Sequence, residues 1–222
     1  MDEEHVPGTM NMTHSRTMDR EIVNRWAVAE INNAISDLLS GKGLLQPEAD
    51  SCIGYFYVDH DEGINFRIHS LCRRLPDTLP EIIYHFKDHG EGLTVISDDV
   101  EAYALLSAQE LLALPIDEEQ RWMLYYEPEM LHTLRKRVDI DRFRAPVYFD
   151  DVTVLLFTTD KEIEPELVWV RLNSQSEDGM SFQGTLLNEP YSDYGVHEGG
   201  MLTVRLDEQW GERVLVAEID FE

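Results

Sequence analysis

The chain has 222 residues, which suffices for one large domain or two small ones, and its 43% of hydrophobic residues is enough for a packed core. Its 44 acidic and 18 basic residues give a net charge of −26. A negative field of this size repels phosphate backbones and anionic lipid headgroups. Nucleic-acid binding and attachment to anionic membranes are therefore disfavoured.

The acidic residues are spread along the whole chain. Residues 1–146 hold 27 acidic and 14 basic residues, whereas residues 147–222 hold 17 and 4. Such a surface most simply keeps a protein soluble, and adaptation to high salt is a second interpretation. Mimicry of nucleic acid is a third, which is disfavoured because the carboxylates do not follow helical rows.

The N-terminal residues and the cysteines predict a cytoplasmic protein. Residues 1–4 are acidic where a signal peptide carries positive charge, and no apolar segment approaches the roughly 20 residues that cross a bilayer. Cys52 and Cys72 are expected to be buried free thiols in a reducing compartment. A disulfide or a metal pair between them is the alternative.

The first expected element is a long amphipathic helix. Residues 1–16 are polar and are predicted to be a disordered N-terminus. A helix is then predicted over residues 18–39, with Thr17 as its N-cap and Gly41 at its end. The apolar stripe on which this helix depends consists of Ile22, Trp26, Ala27, Ile31, Ala34, Ile35, Leu38 and Leu39.

A β-hairpin is predicted next. Residues 52–58 and 64–71 are rich in β-branched and aromatic side chains, and the polar loop 59–63 between them ends in glycine. The loop begins like a calcium-binding loop, but Gly63 comes one position early and the later bidentate glutamate is missing. A polar hairpin turn is therefore favoured.

The segment that follows is predicted to be largely helical. We expect a short helix over residues 79–89, a strand over residues 93–96, and two or three helices over residues 99–138. Ser107 and Glu110 have the spacing of a capping box, in which each side chain satisfies a backbone donor at the start of a helix.

The apolar period changes to two residues after Pro146, which predicts strands and a domain boundary near residue 145. The predicted fold class is α+β. Residues 17–145 would form N-terminal helices packed on a short antiparallel sheet, and residues 146–222 an antiparallel β-sheet or small barrel. The predicted C-terminal strands cover residues 147–158, 167–172, 180–188, 202–206 and 214–221.

The C-terminal part carries a recognisable pattern over residues 166–210. It comprises Trp169-Val170, Phe182-x-Gly184-x-Leu186-x-Asn188-x-Pro190, Gly195-x-x-x-Gly199 and Asp207-x-x-Trp210. This pattern resembles an uncharacterised bacterial family, the domain of unknown function numbered 2314. The resemblance implies a small antiparallel sheet domain that is often appended to longer proteins, and it supplies no catalytic residues. Gly200 departs from the family, which usually has aspartate there.

The residues of this pattern also have a physical interpretation. Val168 and Val170 point away from Trp169, so one face of their strand should belong to a core. Gly184 in mid-strand predicts a bulge or a close backbone neighbour. The aromatic residues form a candidate groove for a peptide or ligand, and they would equally suit a homodimer interface. The candidate binding residues are Trp169, Asn188, Tyr191 and Tyr194.

A metal site is a further hypothesis. On a helix, His85 and His89 would lie at positions i and i+4 and could both ligate one ion, although histidines at a helix C-terminus are the simpler interpretation. The paired acids at residues 98–99 and 150–151 are expected to be helix caps or solvated edges, because adjacent side chains on a strand point to opposite faces.

The motifs of common hydrolases, phosphate-binding loops and dinucleotide-binding folds are absent from the sequence, and no cofactor is predicted. We therefore expect a non-enzymatic interaction protein of the immunity or regulatory type, with a basic protein as its partner. The alternative is a small-molecule binder or an unfamiliar enzyme with its site between the two predicted regions.

Overall fold

A computed structural model describes residues 19–75, 78–86, 93–116, 122–159, 162–209 and 212–219. Of these residues, 43% lie in strands and 21% in helices, and the helices are short. The predicted α+β fold with N-terminal helices packed on a short sheet is therefore wrong, because the chain is mostly β. The expected disordered N-terminus lies outside the described residues.

The chain divides into two compact units between Tyr126 and Glu127. The predicted boundary near residue 145 rested on the change of apolar period, which marks the first strand of the second unit. The residues just before that strand nevertheless belong with it, because Leu131, Leu134 and Ile140 are buried in the same core as the strands that follow.

The N-terminal unit contains a six-stranded sheet in which every described pair is antiparallel. Its strands are β1 (Arg25–Glu30), β2 (Ser51–Asp59), β3 (Gly63–Arg73), β4 (Glu81–His85), β5 (Leu93–Ile96) and β6 (Tyr103–Leu105). The order is β4-β3-β2-β1-β6, and β5 also pairs with β3. Strand β3 is long enough to pair with β4 along one half and β5 along the other.

The predicted helix over residues 18–39 is wrong. Helix α1 (Asp19–Ile22) is followed by β1 and then by helix α2 (Asn33–Gly41), whose N-cap is Asn32. Strand β1 pairs with β2 on one side and β6 on the other, and four consecutive residues of it are buried. A strand that is buried on both faces has a continuous apolar run, which periodicity cannot distinguish from a buried helix.

The predicted hairpin is confirmed by β2 and β3. The Asp59 Oδ1 atom accepts hydrogen bonds from the backbone N–H groups of Asp61 at 2.8 Å and Glu62 at 3.2 Å, as in an Asx turn. Gly63 has a φ of 85°, a left-handed conformation that favours glycine. The loop is therefore the polar turn that the sequence predicts.

The predictions for residues 79–138 have different outcomes. The helix over residues 79–89 is wrong, because Glu81–His85 forms β4 and pairs with β3. The strand at residues 93–96 is confirmed as β5. Within the predicted helical stretch 99–138, β6 is an unexpected strand, and the helices are α3 (Ala108–Ala113), α4 (Met123–Tyr126) and α5 (Glu129–Arg135). The capping box of α3 is present.

The C-terminal unit is a closed five-stranded barrel. Its strands are β7 (Asp151–Thr158), β8 (Glu166–Gln175), β9 (Ser181–Leu186), β10 (Met201–Gln209) and β11 (Glu212–Ile219). The order is β10-β11-β7-β8-β9, with β9 also paired to β10. Strands β11 and β7 are parallel, so the barrel is not purely antiparallel. Alternate residues of each strand fill its interior.

Candidate functional site

Strand β8 presents large apolar side chains on the outside of the barrel. Val168, Val170 and Leu172 are buried in the barrel core, as the alternation predicts. The intervening Leu167 and Trp169 are 71% and 41% exposed. The prediction that one face of this strand belongs to a core is confirmed, and Trp169 lies on the opposite, outer face.

The loop after β9 is anchored to the same strand. The backbone N–H of Trp169 donates a hydrogen bond to the Asn188 Oδ1 atom at 2.7 Å. The Tyr191 N–H donates to both carboxylate oxygens of Glu166, at 3.1 and 3.2 Å. These contacts hold the loop beside the start of β8, where the Tyr191 side chain is 100% exposed. We call Leu167, Trp169 and Tyr191 the barrel-face patch.

Two of the predicted binding residues are occupied with internal contacts. Tyr194 is fully buried, and its hydroxyl lies 2.5 Å from the carbonyl oxygen of Glu164. Burial raises the pKa of Tyr194. Asn188 uses its side-chain oxygen to hold the backbone of Trp169. Neither side chain is therefore exposed for binding in the way that Trp169 and Tyr191 are.

A second carboxylate, that of Glu189, makes contacts within the same loop. The Glu189 carboxylate accepts hydrogen bonds from the His197 Nδ1 atom at 2.7 Å and from the Glu198 N–H at 2.9 Å. The hydrogen bond to His197 lowers the pKa of Glu189, and the same bond raises the pKa of His197. Both groups are exposed, so water screens the pair and its contribution to stability is small.

The first residue of the predicted histidine pair is not on a helix. His85 lies at the end of strand β4, and His89 lies outside the described residues. The His85 Nδ1 atom is 3.0 Å from the Ser70 Oγ atom, which is also 2.6 Å from the Nδ1 atom of His69. Within the described ranges, no group of three or more His, Cys, Asp or Glu residues could hold a metal ion.

The two cysteines are buried free thiols, as predicted. Cys52 pairs with Leu71 and Ser51 pairs with Cys72. The two thiols are therefore one position apart in the register and point to opposite faces of the sheet, an arrangement that a disulfide cannot bridge without backbone movement. Burial raises the pKa of Cys52 and raises that of Cys72 to about 12.

The two acidic pairs differ from each other. Asp98 and Asp99 are exposed in a 3-10 helix, in agreement with a solvated edge. Asp150 and Asp151 are buried, and each forms an ion pair with an arginine. The prediction of caps or solvated edges is wrong for this second pair, because arginines placed by other elements compensate the buried charges.

Sequence reasoning missed several residues of these sites. Leu167 belongs to the barrel-face patch and Glu166 flanks it, and the same two-residue alternation that placed Trp169 outside would have found Leu167. Nothing in the sequence pattern indicated that His69 and Ser70 would meet His85. Their proximity depends on an irregularity in β3 and on pairing between strands that are separated in sequence.

No protein-family model matches this chain, and no curated protein or solved structure shows significant similarity to it. The resemblance to the domain of unknown function 2314 therefore stays a prediction, and its Trp210 lies outside the described residues. Among the helices that the structure describes, none combines the length and the apolar character needed to cross a membrane.

Proposed function

We propose that this protein is a non-enzymatic, cytoplasmic interaction module, of the immunity or regulatory type, that binds a basic protein through the barrel-face patch. The observation that carries this proposal is the exposure of Leu167, Trp169 and Tyr191 beside the carboxylate of Glu166. Large exposed apolar groups that are rimmed by polar ones are typical of docking surfaces.

Charge selects the class of partner. Residues 147–222 hold 17 acidic and only 4 basic residues, so the field around the barrel attracts a basic surface and repels an acidic one. A second copy of this chain carries the same charge of −26 and would be repelled. A basic polypeptide is therefore favoured over a homodimer as the occupant of the patch.

The side chains of the patch suit arginine and lysine. An exposed indole binds a guanidinium over its face by a cation–π interaction, and the aliphatic stem of the cation packs on neighbouring apolar groups such as Leu167. Tryptophan and tyrosine are also the residues that most often dominate binding energy at interfaces. We therefore expect Trp169 to contribute most of the affinity and the carboxylates to contribute the attraction at long range.

The proposal is tested with fluorescent peptides of defined charge. Basic peptides that contain arginine, charge-neutral analogues and acidic analogues are titrated with the protein, and anisotropy is measured in 50 and 200 mM salt. We expect binding of the basic set only, weaker binding in the higher salt, and a loss of about 30-fold or more in Trp169→Ala. Tyr125→Ala is the matched control, because Tyr125 is an exposed aromatic residue of the other unit.

Two results of the peptide titrations would overturn the proposal. One is equal affinity of Trp169→Ala and wild type for the basic peptides, with both proteins folded by circular dichroism. The other is the absence of binding to any basic peptide. Sedimentation at several protein concentrations examines the competing occupant, because a dimer that Trp169→Ala dissociates would assign the patch to a second copy of the chain.

A further inference from the structure

Strand β8 of the barrel contains a β-bulge at Asn173. Leu172 pairs with Gly184 of β9, whereas Ser174 pairs with the adjacent residue of β9, Gln183, so Asn173 is the additional residue. A bulge leaves its additional residue out of the regular pairing and redirects the side chain. The amide of Asn173 can therefore reach across to side chains of the neighbouring strands on the outer face of the barrel.

Two donor side chains meet the sulfur of Met201 on this face. Thr185 of β9 is the register partner of Met201 of β10. The Asn173 Nδ2 atom donates to the Thr185 Oγ1 atom at 2.8 Å and lies 3.8 Å from the Met201 Sδ atom. The Thr185 Oγ1 atom lies 3.5 Å from the same sulfur. An amide NH2 group has two hydrogens to donate and a hydroxyl has one, so two of these three hydrogens are directed at the sulfur.

These donors distinguish Met201 from the other exposed methionines of the described residues. Met201 is 58% exposed, whereas Met130 and Met180 are 61% and 68% exposed. Exposure alone would therefore make Met180 the most readily oxidised of the three. Within the described part of the chain, only Met201 of these three has hydrogen-bond donors at its sulfur. A thioether is a weak acceptor, so the same donors would bind an oxygen atom beside the sulfur more strongly.

We propose that Met201 is a redox modification site, which hydroperoxides oxidise to methionine sulfoxide, and that Thr185 and Asn173 are positioning residues that direct the oxidant. Methionine sulfoxide is polar and is reduced back by sulfoxide reductases, so the modification is reversible. Met201 and Trp169 both lie on the outer face of the barrel. Oxidation therefore adds a polar group to the face that carries the barrel-face patch. The modification goes beyond the proposed docking function and does not depend on it.

The oxidation balances in atoms and electrons. A lone pair on the Met201 sulfur attacks one oxygen of hydrogen peroxide, the O–O bond breaks, and the proton of the attacked oxygen moves to the departing oxygen, which leaves as water. The sulfur loses two electrons and the peroxide gains them. Negative charge develops on the departing oxygen, so a hydroxyl or amide donor beside it stabilises the transition state. The donors that contact the sulfur are placed to supply this hydrogen bond.

The rate of oxidation is the first test. The protein is exposed to excess hydrogen peroxide, the reaction is stopped with catalase at intervals, and peptide mapping by mass spectrometry gives the rate at each methionine. One additional hydrogen bond in the transition state corresponds to a factor of about three or more in rate. We expect Met201 to be oxidised faster than Met130 and Met180 by this factor, although it is the least exposed of the three.

Variants separate the effect of the donors from that of exposure. Thr185→Val removes the hydroxyl at nearly constant size, and Asn173→Leu removes the amide donors. Each change should slow oxidation at Met201 about threefold and leave the rate at Met180 unchanged. Thr203→Val is the matched control, because this threonine lies on the same strand as Met201 and its hydroxyl contacts a glutamine side chain instead of the sulfur. A wild-type Met201 rate at or below that of Met180, or an unchanged Met201 rate in folded Thr185→Val, would overturn the proposal.

The stereochemistry of the product is the second test, because a purely structural role of Thr185 would not affect it. Oxidation makes the sulfur chiral, and the two classes of methionine sulfoxide reductase each reduce one epimer, so they measure the epimer ratio. Donors on one side of the sulfur deliver the oxidant to the lone pair on that side. We expect one epimer in excess at Met201, nearly equal amounts at Met180, and loss of the excess in Thr185→Val. Equal amounts of the two epimers at Met201 in the wild-type protein would overturn the proposal.

Discussion

Arg135 and Asp150 form a two-point ion pair inside the C-terminal unit. The Arg135 Nε atom lies 3.0 Å from Asp150 Oδ1, and Nη2 lies 2.7 Å from Oδ2. The two side chains are only 4% and 1% exposed. Because Arg135 ends α5 and Asp150 directly precedes β7, this pair joins the helix to the barrel at its first strand.

We expect Asp150→Asn to lower the free energy of unfolding by about 3–5 kcal/mol, because the guanidinium is left buried without its counter-charge. The matched control is Glu218→Gln, which removes an ion pair with Arg205 whose side chains are 30% and 47% exposed. That change should cost about 0–1 kcal/mol. Urea unfolding measures both values, and similar small losses in the two variants would contradict the prediction.

Gly184 is expected to tolerate no side chain. A Cβ atom added there would lie 2.4 Å from Val170 Cγ1 and 2.9 Å from the carbonyl oxygen of Arg171. Gly184→Ala should therefore destabilise the barrel by about 1–3 kcal/mol through overpacking. Gly41→Ala is the control, because nothing lies within 4 Å of the added atom. Thermal unfolding compares the two variants, and an unchanged melting temperature for Gly184→Ala would refute the close approach.

The thiols of Cys52 and Cys72 should be unreactive in the folded protein. Burial raises the pKa of both groups, so neither forms the reactive thiolate near pH 8. We expect negligible modification by a thiol-specific reagent in native buffer and modification of both cysteines in denaturant. Mild oxidation should produce no internal disulfide, and recovery of one by mass spectrometry from the native protein would contradict the opposite-face geometry.

The pair between Glu189 and His197 should depend on pH. The pKa of His197 is raised from 6.5, so its contribution is complete below that value and is lost as the pH rises through the folded-state pKa. The pKa of Glu189 is lowered from 4.5, so its contribution is present above that value and is lost as the pH falls through the folded-state pKa. The charged pair is therefore strongest between about pH 4.5 and 6.5.

An NMR titration of the His197 ring checks this prediction. We expect a pKa above the ordinary histidine value in the wild-type protein and a lower pKa in Glu189→Gln, because the neutral amide cannot stabilise the imidazolium charge. Glu208→Gln is a suitable control, since it removes a carboxylate of the same unit without touching this pair. A His197 pKa that is the same in wild type and Glu189→Gln would show that the hydrogen bond is not formed in solution.

Structural features could be predicted from the sequence where they depend on residues that are close together in the chain. The hairpin of β2 and β3 depends on a short polar loop that ends in Gly63, and the capping box depends on Ser107 and Glu110 three residues apart. Val168 and Val170 were placed inside by strand alternation alone. Each of these features involves residues close in sequence, whose geometry follows from backbone sterics and local hydrogen bonds.

Predictions failed where burial came from distant segments. Strand β1 is an inner strand of the sheet, paired with β2 and β6 and buried on both faces, and its apolar residues happen to fit the stripe of a helix as well. Strand β4 is a strand because β3 offers it hydrogen-bond partners. Asp150 is buried in an ion pair with Arg135, and no spacing rule indicates that these two residues meet.

The amino-acid sequence by itself determined the strong negative charge and the alternating apolar pattern of the C-terminal part. The tertiary structure alone decided that the strands of that part close into a barrel, that Tyr194 is buried while Tyr191 is exposed, and that His69, Ser70 and His85 meet. The physical reason is that the net charge follows from composition and the apolar period from residues that are neighbours in the sequence. Burial and side-chain proximity depend instead on which distant strands pair, and this pairing is settled by the free energy of the whole core.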